Sequence, residues 1–383
     1  SDWPHPTEKT VRPVEDWVID PSIPGPDVPP VGESLFDRLV PGTPPFPFTS
    51  LLNQIESRVG GGLRYRRVLI PLGRSLQRSA AAPEFFTYPR AVAAFDSEPI
   101  KDRLFLGYQE KAGVVEVLSY NEEAGRFEFQ LVSDYREGAT PKVERASRKV
   151  CTVCHQNQAP VFSRQLWDET NSNPGVMKLL LREGKDFYGF PIQQSADVPY
   201  QIDNAIHRAN EFSLYQILWR EASVGVRASW LRAMLRCRLS DSCDVTKEAR
   251  TSPIAEWCTK WPRGLLIPNP EIPNRNPVAI LSREGPPTHA ETLAMLARRQ
   301  KDIEPQFEPA VRRLPLETRR VDGALIERTI RGLASWFGES DVVALRRTNV
   351  QAAIDRWSTT PAGSPLASNV FRPEMISRAL LAQ

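Results

Sequence analysis

Cys151-Thr152-Val153-Cys154-His155 is the segment of this sequence best equipped for chemistry. Two thiols are separated by two residues, and an imidazole follows the second thiol directly. This is the pattern used for covalent attachment of a haem. On one turn of helix the two sulfurs reach two vinyl groups along one porphyrin edge and form thioethers. The imidazole then falls beneath the ring, where a nitrogen can ligate iron. With five Cys and four His in 383 residues, such a run arises by chance about 7 times in 10,000 chains. The expectation is therefore one covalent haem c on Cys151 and Cys154, with His155 as proximal iron ligand.

Two other uses of Cys-x-x-Cys compete. A thioredoxin-like redox pair wants a βαβ context and an open helix N-terminus that lowers a thiol pKa, whereas here the motif falls at the end of a helix expected from Thr140. A structural zinc site wants a second close pair of ligands. The next thiol is Cys237, and its spacing to Cys243 is unusual for zinc.

What occupies the other face of the iron decides between electron transfer and small-molecule chemistry. Met177, in Pro174-Gly175-Val176-Met177, is the leading thioether candidate, because a Pro-Gly turn can present Met to iron; packing in a helix core is its alternative. His207, between Ile206 and Arg208 in an apolar-rich helix, is a weaker candidate that also reads as a core-edge His. Met234 and Met295 read as ordinary core residues. Val153, Pro160, Val161, Phe162 and Trp167, with Phe187-Tyr188-Gly189-Phe190, are candidate walls for the group. Arg148, Lys149 and Arg164 could pair with propionates.

The elements that must position these residues fall into three stretches. Residues 1–59 hold twelve prolines between Pro4 and Pro47, which excludes regular helix there and reads as an extended arm laid on a folded body. Residues 60–150 have strand character: Val68 to Ile70, Ala91 to Phe95, Leu104 to Tyr108, and a hairpin from Val114 to Tyr120 and Arg126 to Val132. In that hairpin Phe127, Phe129 and Leu131 share one face and Glu128 and Gln130 the other. An antiparallel sheet of about four strands is the simplest account. Thr140-Pro141 then reads as a helix start, with Val143, Ala146 and Val150 at helical spacing. Residues 151–383 are expected to be mostly helical, with helices over Val176 to Leu181, Tyr200 to Trp219, Val226 to Arg238, His289 to Gln300, Gly323 to Phe337 and Asp341 to Trp357. The fold class is α+β: an antiparallel sheet precedes the attachment motif and a mostly helical region follows.

On the five residues Cys151 to His155 the chain resembles c-type cytochromes. A small cytochrome c is a helical domain with the motif near its start; here a sheet precedes the motif and the chain runs on to Gln383. A hairpin that leads into the attachment site is similar, to a limited degree, to the cytochrome c prime-beta group. In those proteins haem packs on an antiparallel sheet with a distal side that can stay open, and the motif lies near the C-terminus, so the long helical region here would be an addition.

The resemblance implies export to the periplasm, where haem c is assembled and disulfides persist. The opening Ser1-Asp2-Trp3 suits a mature product after leader removal. Of Cys237, Cys243 and Cys258, two are expected to pair, either Cys243 with Cys258 or Cys237 with Cys243 across Ser240-Asp241-Ser242. Forty-nine basic against 46 acidic residues leave a net charge of +3 without a long like-charge run, so nucleic acid is not an expected partner. No apolar window is long enough to span a bilayer. The expected activity is electron transfer with a redox partner protein. The alternative is a haem-dependent enzyme or gas sensor with an open distal site and a small-molecule ligand.

Overall fold

The structure is a computed structural model that describes residues 31–60, 62–71, 86–146, 151, 155, 160, 169–195, 197–240, 242–262, 264–267 and 317–383. Period-two alternation between residues 65 and 133 builds its centre. Strands β1 (Tyr65–Ile70), β2 (Arg90–Phe95), β3 (Leu104–Gln109), β4 (Val114–Asn121) and β5 (Arg126–Ser133) are joined by β6 (Lys142–Arg145). They form one six-stranded antiparallel meander in sequence order. The fold is α+β, with two more strands than the simplest account requires. A second, two-stranded sheet pairs β7 (Leu265–Ile267) with β8 (Glu317–Arg319).

Both faces of the large sheet are covered. Leu69, Ala91, Ala93, Leu106, Val115, Val117 and Val132 point to one apolar layer, and Val68, Val92, Ala94, Phe105, Tyr120 and Phe127 to the other. The first layer is closed by α1 (Leu35–Leu39), α2 (Phe48–Val59) and α3 (Pro174–Arg182). The second is closed by the helices of the C-terminal half: α4 (Asp197–Glu221), α5 (Val224–Leu239), α6 (Lys247–Thr251), α7 (Ile254–Lys260), α8 (Gly323–Ala334), α9 (Glu339–Leu345), α10 (Val350–Thr359) and α11 (Pro373–Leu381). The result is a sheet between two helical layers.

Three expectations are corrected. The described part of the 1–59 stretch is not an extended arm but folds into α1 and α2. Ser34 and Asp37 form a reciprocal capping box that starts α1 among the prolines, and α2 begins directly after Pro47, once the prolines stop. The segment from Thr140 is strand β6 rather than helix, because Val143 pairs with Val132 and Arg145 with Gln130. A Pro suited to a first helical turn also suits the residue before an edge strand, and pairing with β5 decides. Asp341 to Trp357 is two helices, broken before Asn349, whose side chain caps α10 by accepting from the Ala352 N–H. The helix expected over His289 to Gln300 lies outside the described residues.

Docking of α1 explains why polar residues sit inside the sheet. Ser119 and Gln130 are 0% and 2% exposed. Ser34 Oγ donates to Gln130 Oε1 at 2.6 Å, Gln130 Nε2 donates to Asp37 Oδ1 at 2.7 Å, and the Phe36 N–H donates to Ser119 Oγ at 2.8 Å. On the other side, Gln216 of α4 clasps the backbone of Phe371, donating to its carbonyl at 2.7 Å and accepting from its N–H at 2.9 Å. Buried Arg227 donates to the carbonyls of Trp219, Arg220 and Leu366. These bonds fix the C-terminal segment against the corner between α4 and α5.

Helices α4 and α8 meet at Gly332, where a β-carbon would overlap the ring of Tyr215. Gly332→Ala should therefore lower stability by about 1–3 kcal/mol despite the better helix propensity of Ala. Gly225 in α5 faces open space, so Gly225→Ala should be neutral or stabilise by up to about 1 kcal/mol. Urea midpoints of the two variants check the pair; equal midpoints would contradict the close crossing.

Candidate functional site

The chain leaves β6 through Ala146, whose N–H donates to the Phe129 carbonyl at 2.8 Å. Cys151 is helical, and the His155 N–H donates to the Cys151 carbonyl at 2.9 Å. That bond is the i to i−4 closure of one α-helical turn. Cys151 and His155 thus lie one turn apart, and both are half-buried. Cys154 lies outside the described residues.

The imidazole of His155 returns to the residue that anchored the strand exit. Its ring centre is 5.1 Å from that of Phe129, with the planes inclined by 58°. Phe129 is 5% exposed. It points to the same side of the sheet as Phe127 and stands directly opposite Leu118, a partly buried member of the C-terminal helical layer. Phe129 therefore serves the motif twice, by its backbone before the turn and by its side chain after it.

Downstream, Pro160 is buried and has reached α4. Its carbonyl accepts from Asn210 Nδ2 at 2.6 Å, and the same nitrogen donates to the Ile206 carbonyl at 2.9 Å. Two carbonyl acceptors fix the amide orientation, since only the nitrogen can donate to both. Asn210 is 3% exposed, and its Oδ1 is buried without a partner among the described residues. The motif is thus held from the sheet on one side and from α4 on the other.

The remaining candidates are placed elsewhere. Met177 is half-buried on α3, whose buried residues Val176, Leu179 and Leu180 belong to the other layer of the sheet. Pro174-Gly175 is not a turn that presents Met177 but the first turn of that helix, capped by Asn173. Just ahead of α3, Asn171 pairs with Leu69 on the outer edge of β1, through bonds of 3.0 Å and 2.9 Å. Strands β1 and β5 are four positions apart, about 19 Å at the usual strand spacing. The fold does not bring Met177 to His155. His207 is exposed on α4, three residues before Asn210. Met234 is a buried core residue, as its spacing predicts. Phe187 and Phe190 are buried in the layer of α1 and α2, away from the motif. Val153, Val161, Phe162, Trp167, Arg148, Lys149 and Arg164 lie outside the described residues.

The residues present fit a covalently attached haem in one specific respect. Thioether attachment requires the first thiol and the imidazole to share a helical turn, and the bond from His155 to Cys151 supplies that turn. The other thiols are occupied elsewhere: Cys237 is joined to Cys243, and Cys258, exposed, lies 3.7 Å from the Val321 carbonyl. Among the described residues no group of three His, Cys, Asp or Glu is arranged to hold a metal ion, and no helix is long and apolar enough to cross a membrane.

Phe129 and Asn210 were invisible as site residues in the sequence. Phe129 reads as one more apolar strand position, and only the ring contact assigns it a role. Asn210 was an unremarked polar residue in a helix. A buried Asn between Ala209 and Glu211 leaves no sequence signal that its nitrogen ties a distant carbonyl.

Comparison with known proteins gives no match: no family model, no curated protein and no solved structure resembles this chain.

Asn210→Ala removes the donor to the buried Pro160 carbonyl. It should cost about 1–3 kcal/mol, read as a lower urea midpoint. A midpoint equal to that of the unsubstituted chain would show that the tie contributes nothing.

Proposed function

We propose that this chain is an exported mono-haem c protein that transfers electrons to or from a redox partner protein. The thiols of Cys151 and Cys154 would hold the porphyrin through thioethers, each thiol adding its sulfur and its hydrogen across one vinyl group, and the His155 imidazole would ligate the iron. When bound, the group would supply a one-electron ferric/ferrous couple. The polypeptide supplies the tether, the ligand and the surroundings. Phe129 limits the tilt of the His155 imidazole, and the Asn210 bond to Pro160 holds the chain after the motif against α4.

The observation that carries this reading is the helical turn from Cys151 to His155 seated on Phe129. A bare Cys-x-x-Cys-His string gives composition only; a turn with the imidazole packed on a buried ring gives a posture suited to axial ligation. The disulfide between Cys237 and Cys243 suits an oxidising compartment, in keeping with export.

A second reading is favoured by the placement of the distal candidates. Met177 sits on the other side of the sheet, so the leading thioether candidate does not stand against His155, and His207 is exposed on α4. This favours an iron whose second face is open, as in a haem-dependent enzyme or a gas-binding sensor.

Visible spectra of protein produced with haem-maturation machinery, oxidised, reduced and under carbon monoxide, test both readings. Electron transfer predicts a low-spin spectrum that carbon monoxide does not change. An open distal face predicts a high-spin ferrous spectrum that converts on carbon monoxide addition. In either case Met177→Ala should leave the spectrum unchanged, and a change in that variant would restore Met177 as a ligand. No haem absorption at all would contradict both readings.

A further inference from the structure

Beneath the N-terminus of α11 lies a set of polar groups remote in purpose from Cys151 and His155. Glu122, in the turn after β4, is 8% exposed. Its Oε1 accepts from the backbone N–H of Glu374 at 2.8 Å and of Met375 at 3.3 Å. These are donors that a helix N-terminus leaves without intrahelical partners. Its Oε2 is buried and has no hydrogen-bond partner among the described residues.

Three further buried atoms share that condition: the Tyr120 hydroxyl, Arg103 Nε and Arg372 Nε. Tyr120 is 1% exposed and Arg103 is 6% exposed. The rest of the Arg103 guanidinium is committed. Nη1 donates to the Lys101 carbonyl at 3.1 Å, Nη2 donates to the Trp336 carbonyl at 2.6 Å, and the plane lies 4.8 Å over the Trp336 ring. Its Nε–H direction is therefore fixed. Tyr120 is equally constrained, with its ring against Phe127, Phe212 and Trp336.

These groups lie within electrostatic reach of one another. Burial raises the Tyr120 phenol, and Glu122, Arg103, Glu374 and Arg372 also act on it. Burial, then the Glu374 carboxylate, pushes the Glu122 carboxyl from 4.5 up to about 7, against the pull of the Met375 N–H, Arg103 and the Glu374 N–H. From α1, Arg38 approaches Glu374 at 3.7 Å.

The donor and acceptor balance defines the guest. Tyr120 Oη–H, Arg103 Nε–H and Arg372 Nε–H can donate, while the Glu122 Oε2 carboxylate oxygen accepts. A molecule that satisfies them must accept from several N–H or O–H groups and also donate one proton to a carboxylate oxygen. Water does both; an apolar guest does neither and a bare cation would meet two guanidinium groups.

We propose that Tyr120, Glu122, Arg103 and Arg372 enclose a hydrated proton-binding site under α11, in which water bridges the Glu122 carboxyl to the Tyr120 hydroxyl and proton uptake at Glu122 tightens the seating of the C-terminal helix. Protonated, Glu122 keeps Oε1 as acceptor for the two helix N–H groups and offers its Oε2 proton to the water. Ionised, it places a full charge in a buried position facing Glu374. Because its carboxyl is raised in the folded state, its contribution to stability is present in full below about 4.5 and is lost as pH rises through about 7.

Thermal unfolding of the full chain at pH about 5.5 and about 8.5, with infrared difference spectra between the two conditions, tests the site. The unsubstituted protein should unfold several degrees lower at the higher pH, and Glu122→Gln should flatten that dependence. Tyr120→Phe should lower the unfolding temperature and shift the carboxylic C=O band of Glu122, because the water loses one partner. A dry site predicts the opposite sign: removal of an unbonded buried hydroxyl would raise the unfolding temperature and leave the band in place. Either that result, or a Glu122→Gln variant with the full pH dependence, overturns the proposal. If Glu122→Gln does not fold, the sign of the Tyr120→Phe shift and its infrared band still decide.

Discussion

The β4–β5 ladder, paired without interruption from Val115↔Val132 to Asn121↔Arg126, constrains nearly everything else in this molecule. Its two faces are walls of two different apolar layers, so each residue along it is committed to one set of helices by its parity. A slip of one residue would exchange the layers and expose both. The same ladder carries the contacts with chemical consequence. Phe129 of β5 seats the His155 ring and bonds the chain that leads to the motif, while Tyr120, at the far end of β4, packs on Trp336 and Glu122, in the turn that follows, caps the C-terminal helix.

Sandwiching the sheet makes its polar residues structural. A two-sided core has no solvated face, so Ser119, Glu128 and Gln130 need partners inside the protein. Ser119 and Gln130 find them in one short helix and its cap, and Glu128 finds them in Asn121, Arg126 and Arg145 of the sheet itself. Helix α1 has only the five residues Leu35–Leu39, too short to be stable alone, yet its capping residues also bond the sheet. On the opposite face α4 plays the corresponding part. Asn210 ties the segment after the motif, Gln216 ties Phe371, and Trp219 Nε1 donates to the Ser368 carbonyl at 3.0 Å. A single long helix thereby links the segment after His155 to the C-terminal segment.

Much of this was legible in the sequence. Strands β1 to β5 stood out because alternation and turn residues agree, and helices α3, α4, α5 and α8 because their apolar residues recur at helical spacing. The failures have physical causes. Lys142–Arg145 carries a pattern compatible with helix or strand, and only the pairing of Val143 with Val132 decides it. Helix α1 hides among prolines, and its Ser34–Asp37 capping box is followed by too short an apolar run to mark a helix. Asp341 to Trp357 keeps helical spacing across a break that Asn349 caps. At the candidate site, Cys151 and His155 stood out because their spacing is the one that the proposed attachment would demand. The burial that gives Phe129, Asn210 and Glu122 their roles is created by elements far away in the chain, and no local pattern records it.

The proposed function rests on a covalent bond between this polypeptide and a porphyrin, which intact-mass spectrometry reads directly. Protein secreted in the presence of haem-maturation machinery should be heavier than the bare chain by one haem, about 616 Da, and the adduct should survive denaturation in acid because thioethers do not dissociate. A mass equal to that of the polypeptide alone, from protein secreted under those conditions, would contradict the account.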